Sequence, residues 1–149
     1  MDPLLDQAAA TDQLLQTSVS NIRRTLEENS SPVVSQSVAQ LIEAGEWTEL
    51  NDRFYRALAF GTGGIRGRTI GKIVTAAERG TPNELGRPQF PCVGTNAMNF
   101  DSITRATQGL AEYLCEWFAR EGRGDRPKLV IAHDTRFFSS DFTRLAAEV

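Results

Sequence analysis

The stretch Lys128–Phe142, KLVIAHDTRFFSSDF, decides the fold class that the sequence predicts. Its first seven residues, KLVIAHD (128–134), are apolar without alternation, which is typical of a strand in the centre of an α/β sheet. Ser139 or Ser140 is expected to cap a last helix that begins in DFTRLAAEV. A strand, a turn and a helix in this order predict an α/β fold.

A long amphipathic helix precedes the predicted strand. Asp101 or Ser102 is expected to cap it, and apolar side chains then recur at three- and four-residue spacing as far as Phe118. The glycines and the proline of REGRGDRP (120–127) end the pattern. The sequence also predicts three earlier helices, which cover roughly Thr11–Glu28, 32–44 and Thr48–Leu58.

The region between these helices is less regular. Arg68–Val74 is short, β-branched and interrupted by Gly71, which predicts a strand or a hairpin arm. Ala76–Thr95 is rich in glycine and proline and predicts an irregular surface excursion. The last helix has no stop signal before Val149, although a strand–helix start normally returns to another parallel strand. We therefore expect this chain to be the front part of a longer protein.

Composition limits the partners of the chain. A formal net charge of −3 and a pI of about 5.2 give no general attraction to nucleic acid or to an anionic membrane. The N-terminus, MDPLLDQAAATDQ, lacks the runs of a signal peptide or a membrane span, so we expect a cytoplasmic protein. Cys92 and Cys115 lack C-x-x-C spacing and are typical of free thiols. A lone histidine, His133, excludes a His-based metal site within the chain.

A glycine-rich loop, FGTGGIRG (60–67), follows the third helix. Its glycines leave backbone N–H groups accessible, and Arg66 supplies a planar donor fork suited to phosphate. The loop is therefore either an anion-binding cradle or a plain glycine-rich connector. Neither a P-loop nor a dinucleotide fingerprint fits, because Arg66 stands where each motif requires glycine. In the cradle, Gly61, Gly63 and Gly64 would offer their backbone N–H groups, Thr62 a hydroxyl and Arg66 its guanidinium.

The second candidate site is HDTR (133–136), at the predicted C-terminal end of the strand. Ligands in open α/β sheets bind at that edge, which places Asp134 and Arg136 to orient a site. In the simpler alternative, favoured for Asp134, this residue caps the turn while Arg136 pairs with a nearby carboxylate. His133 is more simply a packed or capping residue than a catalyst.

Three ordered segments resemble a known enzyme family. ELNDRFYRALAFGTGGIRG (49–67) resembles the RF…L.FGT.G.RG opening of the α-D-phosphohexomutases, closest to the phosphoglucomutase/phosphomannomutase branch. NFDSITRATQGLAEYL (99–114) is similar to the helix that follows in that family. KLVIAHDTRFFSSDF is similar to its V.I..DTR..S..F strand and helix. The resemblance runs from about Val33 to Val149 in the same order.

The resemblance implies a fold and an activity. Residues 46–149 would form an incomplete phosphohexomutase domain 1, a three-layer mixed sheet flanked by helices, after an N-terminal helical extension over residues 1–45. The whole enzyme would be a four-domain isomerase of carbohydrate metabolism. It would transfer a phosphoryl group between C1 and C6 of a hexose through a phosphoserine and a sugar bisphosphate. The phosphoserine and the Mg²⁺ ligands of the family would lie beyond Val149.

The resemblance also assigns roles. Arg66 would be catalytic by holding the phosphoserine or bound phosphate, with Thr62, Gly63 and Gly64 shaping the loop and Arg136 supporting the same site. The implied partners are a sugar phosphate (glucose, mannose or pentose) and the remaining domains of the polypeptide, without nucleic acid or membrane. The fragment alone is expected to be inactive, because it carries neither nucleophile nor metal. The alternatives are a stand-alone phosphate or sugar-phosphate binding module without catalysis and a scaffold built on the N-terminal helices.

Overall fold

The computed structural model describes residues 2–149, which form two compact units that meet in the sequence at Asn99 and Phe100. The first unit contains α1 (Asp2–Ala10), α2 (Gln16–Glu28), α3 (Pro32–Glu43), α4 (Trp47–Phe54), β1 (Phe60–Gly61), β2 (Gly64–Ile65) and α5 (Ala76–Arg79). The second unit contains α6 (Phe100–Arg120) and α7 (Ser139–Glu148). No helix within residues 2–149 combines the length and apolar character needed to cross a bilayer.

The apolar core of the first unit lies among its first four helices. α2 packs against α1, α3 and α4, and α3 also packs against α5. Full burial of one aliphatic or aromatic side chain contributes about 1.5–3 kcal/mol, so burial of this set stabilises the unit. The core residues are Leu5, Ala8, Leu14, Val19, Ile22, Val38, Leu41, Ile42, Leu50, Phe54 and Val93. The division at residue 45 between an N-terminal extension and a domain stays a prediction. In the structure, the helices before residue 45 belong to the same compact unit as α4 and α5.

The predicted helix Thr11–Glu28 is shorter in the structure. α2 begins at Gln16, because the chain turns at Asp12, which has a positive φ of 56°. The side chain of Asn51 then holds the start of α2, since its Oδ1 accepts the N–H of Leu15 and the hydroxyl of Ser18, each at 2.9 Å. The sequence pattern did not predict α1.

The next two helices follow the predictions at their starts. α3 confirms the helix expected over residues 32–44, and Gly45 ends it with a φ of 67°. α4 ends at Phe54 instead of Leu58, because the Asn21 amide binds the Phe54 carbonyl at 2.6 Å. Leu58 has left the helix, and its N–H donates to the Thr95 carbonyl at 2.8 Å.

The irregular region differs from its prediction in two places. The strand predicted over Arg68–Val74 is wrong, because this segment makes a single parallel bridge, between Arg68 and Ala97, and no ladder. The excursion over 76–95 starts with the short helix α5 and does not end on the surface. Cys92 is 1% exposed and Val93 is 6% exposed.

The second unit is built around aromatic rings. Phe138 is buried, and its ring centroid lies 6.4 Å from that of Phe100 and 6.0 Å from that of Phe142. Phe138 is also the residue that precedes α7, with a left-handed φ of 68°, so the predicted capping by Ser139 or Ser140 is wrong. α6 begins at Phe100, which places the two residues expected to cap it inside the first turn.

The segment KLVIAHD (128–134) forms no strand. Leu129, Val130 and Ile131 are 55%, 97% and 43% exposed, which contradicts the predicted burial. A strand exists only where a neighbour takes up its backbone hydrogen bonds, and residues 100–149 contain no other strand to do so. Within residues 2–149 the sheet consists of β1 and β2 alone, so the three-layer mixed sheet stays a prediction.

A buried arginine lies at the centre of the first unit. Arg53 is 0% exposed; its Nε donates to Glu49 Oε1 at 2.8 Å and its Nη1 to Glu78 Oε1 at 2.5 Å. Further donors bind the carbonyl oxygens of Ile73 at 2.5 Å and of Val93 at 3.2 Å. The planar fork of the guanidinium suits several acceptors at once. It joins α4 and α5 to two segments that have no regular structure.

Glu78 makes a second set of bonds around the same arginine. Its Oε1 accepts the Val93 N–H at 2.7 Å and its Oε2 accepts the Thr75 N–H at 3.0 Å. Thr75 Oγ1 accepts the Glu78 N–H in return, which completes a capping box and explains why α5 begins at Ala76. The Thr75 hydroxyl also lies 2.8 Å from that of Ser37 in α3.

We predict that Arg53→Met lowers the free energy of unfolding by about 3–5 kcal/mol, because Glu49 and Glu78 would stay buried without their cation. Burial opposes the charge of Arg53, but the acidic groups around it, Cys92 and Glu78 first among them, outweigh burial and raise its pKa. Urea unfolding of the chain measures the change. Arg24→Met is the matched control, since Arg24 is exposed on α2. Equal effects of the two substitutions would contradict the role of the network.

We predict that alanine lowers the stability of the chain at Gly71 and raises it at Gly109. A Cβ at Gly71 would overlap Arg53 Nη2 and would lie 2.7 Å from the Ile73 carbonyl oxygen and 2.9 Å from Glu49 Oε1. Gly71→Ala should therefore destabilise the chain by about 1–3 kcal/mol through overpacking. Gly109, inside α6, has open space where a Cβ would stand, with no atom within 4 Å, so Gly109→Ala should stabilise by about 0.5–1 kcal/mol. Thermal unfolding of both variants checks the signs.

Candidate functional site

The glycine-rich loop folds as a tight β-hairpin. Phe60 pairs with Ile65 and Gly61 with Gly64, antiparallel, so Thr62 and Gly63 form the turn. Gly63 and Gly64 have φ values of 83° and 123°, which side-chain-bearing residues adopt only with strain. A Cβ at either position would meet no atom within 4 Å, so the glycines are needed for backbone conformation and leave the tip open.

Hydrogen-bond donors at the hairpin tip have no partner within residues 2–149. The backbone N–H groups of Thr62 and Gly63 make no bond there, and both residues are exposed. The Arg66 side chain is exposed too, and no carboxylate or carbonyl of the described chain holds its guanidinium. Two amides, a hydroxyl and a guanidinium therefore lie within five residues. This donor set matches the acceptor oxygens of a phosphate.

Arg136 lies in the second unit, in the turn that precedes α7. Its side-chain Nε and Nη2 both contact Asp134 Oδ2 at 2.7 Å, and its backbone N–H donates to Asp134 Oδ1 at 3.0 Å. The Ser139 hydroxyl accepts the Asp134 N–H at 3.1 Å. This is the simpler alternative that the sequence left open, in which Asp134 organises the turn and Arg136 pairs with a carboxylate. The His133 ring is exposed and lies 3.2 Å from the Asp134 carbonyl oxygen.

The sequence interpretation missed the buried ion pair of the first unit and the residue that binds the chain leading into the hairpin. Arg53 and Glu78 are the buried ion pair, and Thr95 binds the chain just before β1. One signal was present for Arg53, since it stands three residues after Leu50 and directly before Phe54 on the apolar face of α4. A signal was present for Glu78 too, since Thr75 and Glu78 have the T-x-x-E spacing of a capping box. No pattern in the sequence marks Thr95.

Metal-ligating side chains do not cluster in the described part of the chain. Residues 2–149 contain no group of three or more His, Cys, Asp or Glu side chains that could hold a metal ion. The residues present therefore do not fit Mg²⁺, and we derive no step through it.

We predict that Asp134 titrates well below an ordinary aspartate. The hydrogen bonds from the side chain and backbone of Arg136 lower the pKa of Asp134 from 3.8 to about 2. The turn thus keeps this contact above about pH 4 and loses it as the pH falls through 2. An NMR titration of the Asp134 carboxyl carbon measures the midpoint. Arg136→Gln should return it toward 3.8, and 1 M salt should raise it by screening an exposed pair. A wild-type midpoint near 3.8 would mean that the pair does not form.

Comparison with known proteins points to one type of enzyme. No protein-family model matches the chain, and no solved structure matches it. The chain is 28% identical over 120 residues to the phosphoribomutase of Saccharomyces cerevisiae and 30% identical over 112 residues to the probable phosphoribomutase of Schizosaccharomyces pombe. The alignments cover 80% and 75% of this chain, which spans 15% of the length of each relative. The chain is therefore similar, over most of its own length, to proteins of the phosphomutase type.

Proposed function

We propose that this chain is the phosphate-binding part of a phosphomutase, a phosphotransferase of the isomerase class that moves a phosphoryl group within a sugar phosphate. The observation that carries the proposal is the hairpin tip, where the amides of Thr62 and Gly63 and the Arg66 guanidinium have no partner within residues 2–149. Similarity to two phosphoribomutases supports it from the sequence side.

The donors of the tip suit phosphoryl transfer. Such reactions depend on positioning and on stabilising charge that is spread over the phosphoryl oxygens. Two amides can each donate to one oxygen while the Arg66 fork binds a second pair, which neutralises charge without a proton transfer. Arg66 is the catalytic candidate in this proposal, and Thr62, Gly63 and Gly64 shape the site. A phosphate contact by Arg136 is proposed from the resemblance alone, and in the second unit its Nε and Nη2 are bound to Asp134.

The sugar is the finer part of the proposal. The resemblance of the sequence is to enzymes that act between C1 and C6 of a hexose, whereas the relatives are named for ribose. We propose a ribose phosphate as the first substrate to test, with glucose and mannose phosphates as the alternatives. A phosphoserine, Mg²⁺, a sugar bisphosphate intermediate and a cytoplasmic location belong to the proposal through the resemblance alone. By the same resemblance, the phosphoserine and the ligands of Mg²⁺ would come from further domains of the polypeptide.

A phosphate-binding module without catalysis is the second candidate function. The observation that favours it is the bonding of Ser139, whose hydroxyl accepts the Asp134 N–H instead of donating to a base. Both candidates bind phosphate, and only the first gives turnover when the chain is part of a longer enzyme. We expect residues 1–149 alone to be inactive, because uncatalysed phosphate monoester cleavage needs up to ~10²¹-fold acceleration.

We predict that Arg66→Ala strongly lowers the affinity of the chain for phosphate, because it removes the guanidinium of the proposed site. Titration of inorganic phosphate and of ribose 5-phosphate, followed by amide shifts of Thr62 and Gly63, measures the affinity. Arg120→Ala is the matched control, because it removes an equal charge from an exposed arginine on α6. In the longer enzyme, Arg66→Ala should lower turnover of ribose 1-phosphate by about 10²–10³, the effect of one preorganised donor. Wild-type binding and turnover in Arg66→Ala would remove this residue from the site.

A further inference from the structure

We infer that residues 92–98, here named the platform, position the anion-binding hairpin, and that Thr95 is the positioning residue. The inference rests on the proposed function, because it concerns how the donors of the tip are held. It adds a segment that neither the motif nor the comparisons single out. The platform follows the hairpin by about thirty residues in sequence and contacts the chain on both sides of it.

Thr95 holds the chain that leads into the hairpin. Its carbonyl accepts the Leu58 N–H at 2.8 Å, and its hydroxyl donates to the Arg56 carbonyl at 2.7 Å. Two bonds from one residue thus fix the backbone between the end of α4 and the start of β1. Asn96 supports the same stretch, since its N–H donates to the Arg53 carbonyl and its Oδ1 accepts from Arg56 Nε.

The chain that leaves the hairpin lies on the same platform. The Met98 N–H donates to the Arg68 carbonyl at 3.0 Å. A Cβ at Gly67 would lie only 3.0 Å from the Leu58 side chain and from the Met98 nitrogen. Gly67 therefore lets the outgoing chain pass directly between the incoming chain and the platform. Both stems of the hairpin are set by one segment.

The platform is itself held from the interior. Val93 is fixed through its N–H by Glu78 and through its carbonyl by Arg53. Asn99 Nδ2 donates to the carbonyls of Cys92 at 3.0 Å and Gly94 at 2.9 Å. Buried bonds of this kind make the segment rigid although it has no regular secondary structure.

Rigidity of the stems matters because the tip has no bonds of its own. Thr62 and Gly63 contribute donors whose direction is fixed only by the hairpin that carries them. Displacement of a binding group by about 1 Å is enough to weaken a preorganised site. Thr95 therefore acts on phosphate through the backbone of residues 56–58 and does not touch it.

The test compares two variants of Thr95. Thr95→Val removes the hydroxyl that holds the Arg56 carbonyl and keeps the side-chain volume, whereas Thr95→Ser keeps the hydroxyl. Thr25→Val is the matched control, because Thr25 makes the same kind of bond to the Asn21 carbonyl inside α2. The readouts are the Kd for inorganic phosphate, hydrogen exchange of the Leu58 amide, and urea unfolding of the whole chain.

We expect Thr95→Val to weaken phosphate binding roughly twofold to tenfold, the scale of one hydrogen bond, and to speed Leu58 exchange by a similar factor. Thr95→Ser should restore both values, and Thr25→Val should change neither. If Thr95→Val does not fold, Gly67→Ala, which crowds the outgoing stem, provides the same comparison with the Kd expected to rise.

The outcomes separate this inference from the proposed function. Absence of phosphate binding by the wild-type chain would overturn the proposed function, and faster Leu58 exchange in Thr95→Val would still support positioning of the hairpin by the platform. Unchanged Leu58 exchange and unchanged Kd in Thr95→Val would overturn the inference. Equal effects of Thr95→Val and Thr25→Val would also overturn it, because they would reflect general stability.

Discussion

The buried guanidinium of Arg53 is the contact on which the first unit depends. A buried ion pair adds little stability by itself, because desolvation of the charges opposes their attraction. Its effect here is geometric, since five donors in a plane select particular acceptors from Glu49, Glu78, Ile73 and Val93. Apolar side chains could fill the same volume, but they form no directional hydrogen bonds and so would not fix which carbonyl groups face them. The guanidinium thus fixes segments that have no ladder of their own.

Because the guanidinium holds these particular acceptors, the hairpin over residues 60–65 can form without a large sheet. A two-stranded hairpin is marginally stable on its own in water. In this chain, the hairpin is carried by Thr95 and Met98, which bind its two stems, and by Val93, which binds the buried ion pair. The donors at the tip can therefore remain unbonded while the backbone behind them is held.

Local patterns predicted the parts of this fold that depend on local contacts. The helical spacing in α3, α6 and α7 and the glycines of the hairpin tip needed no distant partner, and these elements lie close to where they were expected. The network of Arg53 could not be predicted, because Glu78 and Val93 lie 25 and 40 residues away in sequence. The prediction of a strand over residues 128–134 is wrong for a related reason. A strand requires a second segment to pair with, and the apolar composition of one segment does not show whether that partner exists. The sequence indicated the hydrogen-bond donors of the hairpin tip, but it did not indicate Thr95, which binds the chain that leads into the hairpin.

The charges of the first unit are unevenly distributed along the sequence. Residues 53–77 include five basic side chains and no acidic one, although the whole chain has a net charge of −3. Folding neutralises three of the five, because Arg53 pairs with Glu49 and Glu78, Arg68 with Glu49, and Lys72 with Asp52. The other two basic residues, Arg56 and Arg66, make no ion pair within residues 2–149, and they flank the hairpin in sequence. Since exposed charges act over about one Debye length, roughly 8 Å at physiological salt, such a field is local and does not require a basic protein. The carboxylates of Glu49, Asp52 and Glu78 are therefore paired with three of these five cations. Within residues 2–149, the positive charge of this stretch that has no carboxylate partner lies on Arg56 and Arg66, on either side of the open amides in sequence.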